Sequence, residues 1–139
     1  MAAALHGRGG AQFRRRCKNR QRQSGTAFAT IVGVPKKAQE VSGTLKTYED
    51  VSDTGKGMHR RFCAECGSSI AIDADGYPDL TFVEAGTLDD TSWVVLTVQF
   101  FCASAQPWVS LPEKIQPFQR MSGQGSSLAD AKTGRRGAC

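Results

Sequence analysis

Residues 61–68 read Arg-Phe-Cys-Ala-Glu-Cys-Gly-Ser, and this stretch carries the strongest structural signal in the chain. Two cysteines separated by two residues and followed by glycine are typical of a tight turn that directs both sulfur atoms toward one zinc ion. The glycine tolerates the left-handed backbone that such a turn often needs. Segments 58–62 and 69–73 predict the two strands of a hairpin around this turn. The alternative is a pair of ordinary thiols in a hairpin, since no second Cys-x-x-Cys completes a four-ligand set.

The rest of the chain is patterned for further short strands. Residues 26–34 form an apolar run rich in β-branched residues, and residues 45–49 and 80–84 are shorter segments of the same kind. Residues 94–101 alternate between two sets of side chains, as a half-buried strand does. Helical periodicity is nearly absent. With 139 residues, the sequence predicts one mainly β domain that can bury a modest core.

Charge is distributed unevenly along the chain. Residues 1–39 contain nine Lys or Arg and no acidic residue, whereas residues 40–122 contain twelve acidic residues against six basic ones. We therefore expect a flexible basic N-terminus over residues 1–14 and a solvated basic run over 14–22. The alternatives are attraction to nucleic acid or another anionic surface, or a mitochondrial presequence. Because the run lacks interleaved aromatic residues, nucleic-acid binding is the weaker expectation.

The cysteines favour a reducing compartment. Their number, five, is odd, and no secretory signal precedes them, so we expect free thiols rather than a disulfide framework. No apolar run approaches the roughly 20 residues of a membrane span, and no membrane partner is predicted. The expected location is the cytoplasm, with the mitochondrion as the alternative. Cys17 lies among arginines, whose charge favours a reactive thiolate; an incidental exposed thiol is the other reading.

Several spaced motifs occur together in this order. They are residues 21–28 (Gln-Arg-Gln-Ser-Gly-Thr-Ala-Phe), 45–48 (Leu-Lys-Thr-Tyr), the segment 61–68, residues 86–90 (Gly-Thr-Leu-Asp-Asp) and 107–109 (Pro-Trp-Val). With these motifs the chain resembles the glutathione-dependent formaldehyde-activating family, whose domain is shared with centromere protein V. The similarity covers residues 15–121, and the C-terminal half is similar to fungal members. Residues 122–139, rich in Gly, Ser, Ala and charges, predict a disordered tail.

The resemblance implies a β-tent (Mss4-like) zinc-binding domain of short antiparallel strands. It also implies a carbon–sulfur lyase that acts on glutathione–aldehyde adducts of the S-hydroxymethylglutathione type. In the family, an early Cys-x-Cys and a late Cys-x-x-Cys hold a structural zinc, while Cys-His-Cys-x-x-Cys holds a second zinc with a position open to the glutathione thiol. The implied site residues are the metal ligands Cys17, Cys63 and Cys66, with Cys17 also catalytic, and the substrate-binding residues Ser24, Gly25 and Phe28.

This chain departs from the family pattern at most ligand positions. Cys17 matches the second cysteine of the middle motif, but Arg15, Arg16 and Arg20 stand in place of the first cysteine, the histidine and the third cysteine. The early Cys-x-Cys has no counterpart, and the strands that carry it are expected to be missing. Two of four structural ligands and one of three catalytic thiolates therefore remain. Arginine cannot replace them, because it has no lone pair to give a metal.

These departures predict a degenerate or N-terminally truncated member whose lyase activity is weak or lost. Zinc is the cofactor that the resemblance implies, and glutathione or a glutathione–aldehyde adduct is the implied partner. One alternative is a non-catalytic zinc-binding or interaction module with a basic arm. The other is a truncated gene product.

Overall fold

The computed structural model describes residues 3–5, for which only the backbone is considered, and residues 10–110 and 114–120. Within these residues the elements are β1 (Ala3–Leu5), β2 (Ala11–Arg15), α1 (Lys18–Ser24), β3 (Ala29–Pro35), β4 (Gln39–Val41), β5 (Leu45–Val51), β6 (Gly57–Cys63), β7 (Ser69–Ala74), β8 (Leu80–Glu84), β9 (Val98–Phe100) and β10 (Gln116–Pro117). The prediction of a mainly β fold built from short strands is confirmed. No helix in the described segments is long and apolar enough to cross a bilayer.

The described residues divide into two compact units. The first contains residues 3–5, 10 and 32–94, and the second contains residues 11–31, 95–110 and 114–120. Strand β3 contributes residues 29–31 to the second unit and residues 32–35 to the first.

The first unit is built on an antiparallel meander. Strands β5, β6, β7 and β8 follow one another in space as in sequence, with Tyr48 opposite Arg60 and Ile72 opposite Phe82. The register between β6 and β7 shifts between Arg61 and Phe62. Such a bulge redirects the following side chains and increases the local twist. It lies just before Cys63, so it helps to set the direction of the cysteine turn.

Strand β7 forms the centre of the first unit's core. Ile70, Ala71 and Ile72 are all fully buried, because β7 lies between two neighbouring strands and is covered on both faces. Val83 on β8 is also fully buried and belongs to the same apolar cluster as Ile70. Burial of each such side chain contributes about 1.5–3 kcal/mol relative to full exposure.

The second unit is built on short parallel pairings and one helix. Strand β9 pairs in parallel with β2 on one side and with β10 on the other. Its core is aromatic: the Phe100 ring lies 5.4 Å from Phe13 in an edge-to-face arrangement and 5.3 Å from Phe118. Phe13 and Phe100 are almost fully buried, so these contacts are the main apolar support for the two strands.

The structure differs from the sequence-based expectations in four places. Helix α1 was not expected, and residues 11–14, expected within a flexible arm, belong to strand β2. Of the strand expected over residues 94–101, only Val98–Phe100 forms. The expected solvated basic run over 14–22 is wrong in part, because Arg16 and Arg20 are 0% and 2% exposed. The expectation of a disordered tail over 122–139 lies outside the described residues.

Candidate functional site

The cysteine turn forms as the sequence predicts, at the tip of the β6–β7 hairpin. The Cys63 amide donates to the Ser68 carbonyl at 2.9 Å, and the Gly67 amide donates to the Cys63 carbonyl at 3.0 Å. Gly67 has φ of 75°, the left-handed conformation that favours glycine. The Cys66 amide points at the Cys63 sulfur at 3.5 Å, so the backbone of the turn already solvates that sulfur.

The two thiols of the turn have different surroundings. Cys63 is buried, whereas Cys66 is exposed. A hydrogen bond between the Ser68 hydroxyl and the Cys66 sulfur at 3.1 Å, the Ser68 backbone and the nearby Cys63 thiol together lower the pKa of Cys66 to about 7. Much of Cys66 is therefore thiolate at neutral pH, and the thiolate is the form that binds metals and attacks electrophiles.

Arg61 has a structural role beside this turn. Its Nη2 donates to the Gln39 side chain at 2.7 Å and to the buried Thr81 hydroxyl at 2.8 Å. Its Nε lies 3.3 Å from a carboxylate oxygen of Asp73. Arg61 thus connects β4, β6, β7 and β8 within the first unit, which explains its place in the motif without a role in binding.

The side chains present do not fit a closed four-ligand zinc site. Cys63 and Cys66 supply two sulfur atoms, and nowhere in residues 10–110 or 114–120 do three or more His, Cys, Asp or Glu side chains gather to hold a metal ion. His59 is on the same strand as Cys63, but its ring nitrogens face Glu49 and Asp75. Hydrogen bonds to Asp75 and Glu49 raise the pKa of His59, which favours an ion pair over metal binding.

Cys17 lies in the second unit, at the N-terminus of α1. It has extended backbone angles, its carbonyl accepts from the Gln21 amide at 3.1 Å, and its side chain caps no amide of the helix. The helix ends at Gly25, whose φ of 66° is a left-handed C-cap. Cys17 is half-buried, and like Cys63 and Cys66 of the first unit it is a free thiol. Cys102 is disulfide-bonded, which differs from the expectation of free thiols.

Arginines surround Cys17 in sequence and carry the charge of this region. The Arg14 guanidinium lies 4.0 Å from the centroid of the Phe28 ring, and that of Arg16 lies 5.5 Å from the same centroid. Arg15 lies 5.1 Å from the Phe101 ring. Burial lowers the pKa of Arg14 and of Arg16, and the neighbouring positive charge of Arg14 lowers that of Arg16 further.

A three-thiolate zinc site does not fit these residues. Guanidinium nitrogens are donors only and carry a positive charge, so Arg15, Arg16 and Arg20 neither ligate a cation nor attract one. Cys17 alone supplies a donor of the expected kind. The groups available in this segment are one thiol and several guanidinium groups.

The three predicted substrate-binding residues lie close together in sequence, with Ser24 ending α1, Gly25 as its C-cap and Phe28 following. The Ser24 hydroxyl donates to the Arg20 carbonyl at 2.9 Å and contacts the Thr26 hydroxyl at 2.9 Å. Gly25 is exposed, and a Cβ placed there would meet no atom within 4 Å. Phe28 is half-buried under the two guanidinium groups. Their role in binding a substrate stays a prediction.

Gln21 is a positioning residue that the sequence analysis did not single out. Its side-chain amide donates to the Arg16 carbonyl at 2.6 Å and to the Ser104 carbonyl at 2.8 Å, and its oxygen accepts from Gln106 at 2.6 Å. These bonds tie α1 to the segment that follows β9, within the second unit. The only signal in the sequence was the position of Gln21 at the start of the Gln-x-x-Ser-Gly motif.

The comparison with protein families agrees with this architecture. No curated protein matches the chain. The family model described as glutathione-dependent formaldehyde-activating enzyme matches residues 4–104, which include β2, α1 and the cysteine turn. This match begins earlier than the similarity over residues 15–121 that the motifs indicate, and it ends earlier too. The chain therefore belongs to the glutathione-dependent formaldehyde-activating enzyme family.

Proposed function

We propose that the chain derives from a zinc-dependent carbon–sulfur lyase of glutathione–aldehyde adducts and that its own lyase activity is weak or lost. The observation that carries this proposal is the exchange of donors around Cys17. Arginine occupies three positions of the family's catalytic zinc motif, and two of these arginines, Arg16 and Arg20, are buried. Side chains that are buried, bulky and cationic leave no room and no ligands for a metal dication.

Under this proposal, zinc binds at most at the cysteine turn. The Cys63 and Cys66 sulfurs are a suitable half-site, and the low pKa of Cys66 favours the thiolate that zinc requires. Any zinc held there would have to complete its coordination from outside the cysteine turn. We therefore expect less than one firmly bound zinc per chain, in contrast to the two that the family pattern implies.

The first test is a turnover assay with glutathione and formaldehyde. The purified chain should not convert the S-hydroxymethylglutathione adduct faster than the uncatalysed reaction, with or without added zinc. Robust zinc-dependent turnover by the unmodified chain would show that the proposal is wrong.

The second test restores the missing donors. The triple variant Arg15→Cys, Arg16→His, Arg20→Cys recreates the family motif around Cys17, and it should bind about one more zinc per chain than the unmodified protein. The matched control is Arg22→Cys, which adds a thiol on the exposed side of the same helix. A control that gained as much zinc would show that any added cysteine suffices.

The proposal keeps glutathione, or its aldehyde adduct, as the partner. Ser24, Gly25 and Phe28 are proposed to form the wall against which it binds, because they lie in one short segment and Phe28 contacts Arg14 and Arg16. Amide shifts of Ser24 and Gly25 in a glutathione titration would support this placement, and unchanged shifts at saturating glutathione would contradict it. A reducing compartment, the cytoplasm or the mitochondrion, is the proposed location.

A further inference from the structure

Arg16 is a buried cation without an acceptor. Its side chain is 0% exposed, and none of its three guanidinium nitrogens has a hydrogen-bond partner among the described residues. A guanidinium has five N–H donors, so all of them are left unused. Burying a charge in this way costs several kcal/mol unless a counter-charge and hydrogen-bond acceptors compensate. The observation therefore indicates a place where an anion would be stabilised.

A second guanidinium lies beside it. Arg14 lies on β2, and Arg16 follows directly after the end of that strand, two residues further along the chain. Both contact the Phe28 ring, at 4.0 Å and 5.5 Å from its centroid. The buried Nε of Arg14 likewise has no hydrogen-bond partner within the described residues. A cation–π contact attracts each guanidinium but neutralises neither, so the two positive charges still repel each other.

Among the described residues of the second unit, no carboxylate balances these two charges. Its described residues, 11–31, 95–110 and 114–120, contain no Asp or Glu. Its basic residues are Arg14, Arg15, Arg16, Lys18, Arg20, Arg22, Lys114 and Arg120. No described residue of this unit therefore supplies the counter-charge, and a bound anion is the counter-charge that we consider.

We infer that Arg14 and Arg16, covered by Phe28, bind a small oxyanion, either a phosphate or a carboxylate. Two guanidinium groups offer the paired, planar N–H donors that such groups accept in bidentate fashion. Arg14 is half-buried and keeps contact with solvent, so it makes the first contact with the anion. The inference does not rest on the lost lyase activity.

The inference also gives the arginine substitutions a chemical meaning. The segment that in the family pattern gathers thiolates around a cation here gathers cations that require an anion. The charge preference of the region is reversed, whereas its fold is kept.

The test is saturable stabilisation by inorganic phosphate. The full chain is prepared in a low-salt buffer free of oxyanions, and thermal unfolding is followed against phosphate at constant ionic strength. With phosphate at about 100 times its Kd, the Tm should rise by roughly 10 °C. Propionate and glutathione are titrated in parallel: a larger shift with phosphate identifies a phosphate ligand, and a larger shift with the other two identifies a carboxylate.

Variants separate this site from general salt effects. Arg16→Met should lose the saturable shift, and in oxyanion-free buffer it should be at least as stable as the unmodified chain, since an unpaired buried charge is gone. Arg22→Met removes an exposed arginine from the same unit and should keep the full shift. A shift that Arg16→Met retains, or a rise that never saturates, would overturn the inference.

A third variant covers the case in which Arg16→Met does not fold. Arg14→Gln changes a half-buried side chain and should weaken phosphate binding at least tenfold, measured by calorimetry. Unchanged phosphate affinity in this variant, or no response of the unmodified chain to any of the three anions, would refute the site. Because no aldehyde is present, these results are independent of the lyase assay.

Discussion

Replacing Phe28 by leucine should destabilise the second unit through the loss of cation–π contacts. Leucine keeps an apolar side chain of similar reach, so the main change is the loss of the aromatic face that Arg14 and Arg16 share. If instead Phe28 only fills space, the substitution should be nearly neutral, because apolar replacements of similar volume usually cost less than about 1.5 kcal/mol.

The size of the effect follows from the two distances and from burial. Arg14 lies 4.0 Å from the ring centroid and is half-buried, which corresponds to about 1 kcal/mol. Arg16 is fully buried, where such contacts are strongest, but at 5.5 Å it is close to the limit of about 6 Å, so we assign it roughly 0.5–1 kcal/mol. Together they give about 2 kcal/mol, or a fall in Tm of roughly 6–8 °C.

Urea unfolding of Phe28→Leu, Arg14→Met and the double variant measures the energy of the cation–π contact between Arg14 and Phe28, the stronger of the two. The coupling energy between positions 14 and 28 should be about 1 kcal/mol. The double-mutant cycle cancels the effect of the smaller apolar side chain, because Phe28→Leu and the double variant both contain it. The experiment is run without oxyanions, so that ligand binding does not enter. A coupling energy below about 0.3 kcal/mol would show that the stacked geometry does not hold in solution.

Three further perturbations test other parts of the structure. Gly10→Ala should destabilise the chain by at least 2 kcal/mol in urea unfolding. Gly10 has φ of 114°, and a Cβ there would clash with the Gly33 carbonyl oxygen. Unchanged stability would show that the backbone at Gly10 does not have this conformation in solution. His59 has a raised pKa, so its two carboxylate contacts should stabilise the fold below pH about 6.5 and be lost as pH rises through the folded-state value; an NMR titration midpoint at or below 6.5 would refute the contacts. Alkylation of Cys66 by iodoacetamide should show a pH midpoint near 7, and Ser68→Ala should move it upward; an unchanged midpoint in that variant would exclude the hydroxyl as the cause.

The strands that the sequence predicts best have all their determinants nearby. Residues 80–84 coincide with β8, and residues 45–49 lie within β5, because alternating side chains and a flanking turn are local signals. Strand β9 illustrates the opposite case. Its neighbours β2 and β10 pair with it only between Val98 and Phe100, and Phe101 then adopts φ of 62°, so its length depends on segments far away in sequence.

Helix α1 was missed for a different physical reason. Its sequence, Lys-Asn-Arg-Gln-Arg-Gln-Ser, contains no apolar residue, so no hydrophobic period could reveal it. The buried face is polar instead: Arg20 and Gln21 are its buried residues, and Gln21 is held by hydrogen bonds to backbone carbonyls at 2.6 Å and 2.8 Å. Rules based on apolar spacing cannot detect a helix that is anchored by amide and guanidinium groups.

In the candidate site, too, the features set by neighbouring residues were predictable from the sequence, whereas those set by distant residues were not. The turn around Cys63 and Cys66 was predictable, since the spacing of its residues determines its shape. The burial of Arg16 was not, because a run of arginines in sequence is normally a solvated surface. What buries this charge, an aromatic ring from residue 28 and the strand pairing of β2, becomes visible only in three dimensions.

The proposed exchange of zinc ligands for arginine raises the question of whether the site has simply decayed or has gained another ligand. Loss of a zinc ligand without any replacement function would most simply leave a small or neutral residue, and either would avoid burying a charge. Arg16 and Arg20 are instead among the largest buried side chains of the described chain. A fold that retains the buried guanidinium group of Arg16, which has no hydrogen-bond partner among the described residues, is most readily explained if a ligand compensates the cost of burying that charge. The thermal response of the chain to phosphate, compared with that of Arg16→Met, decides between a relic of a metal site and a site for an anion.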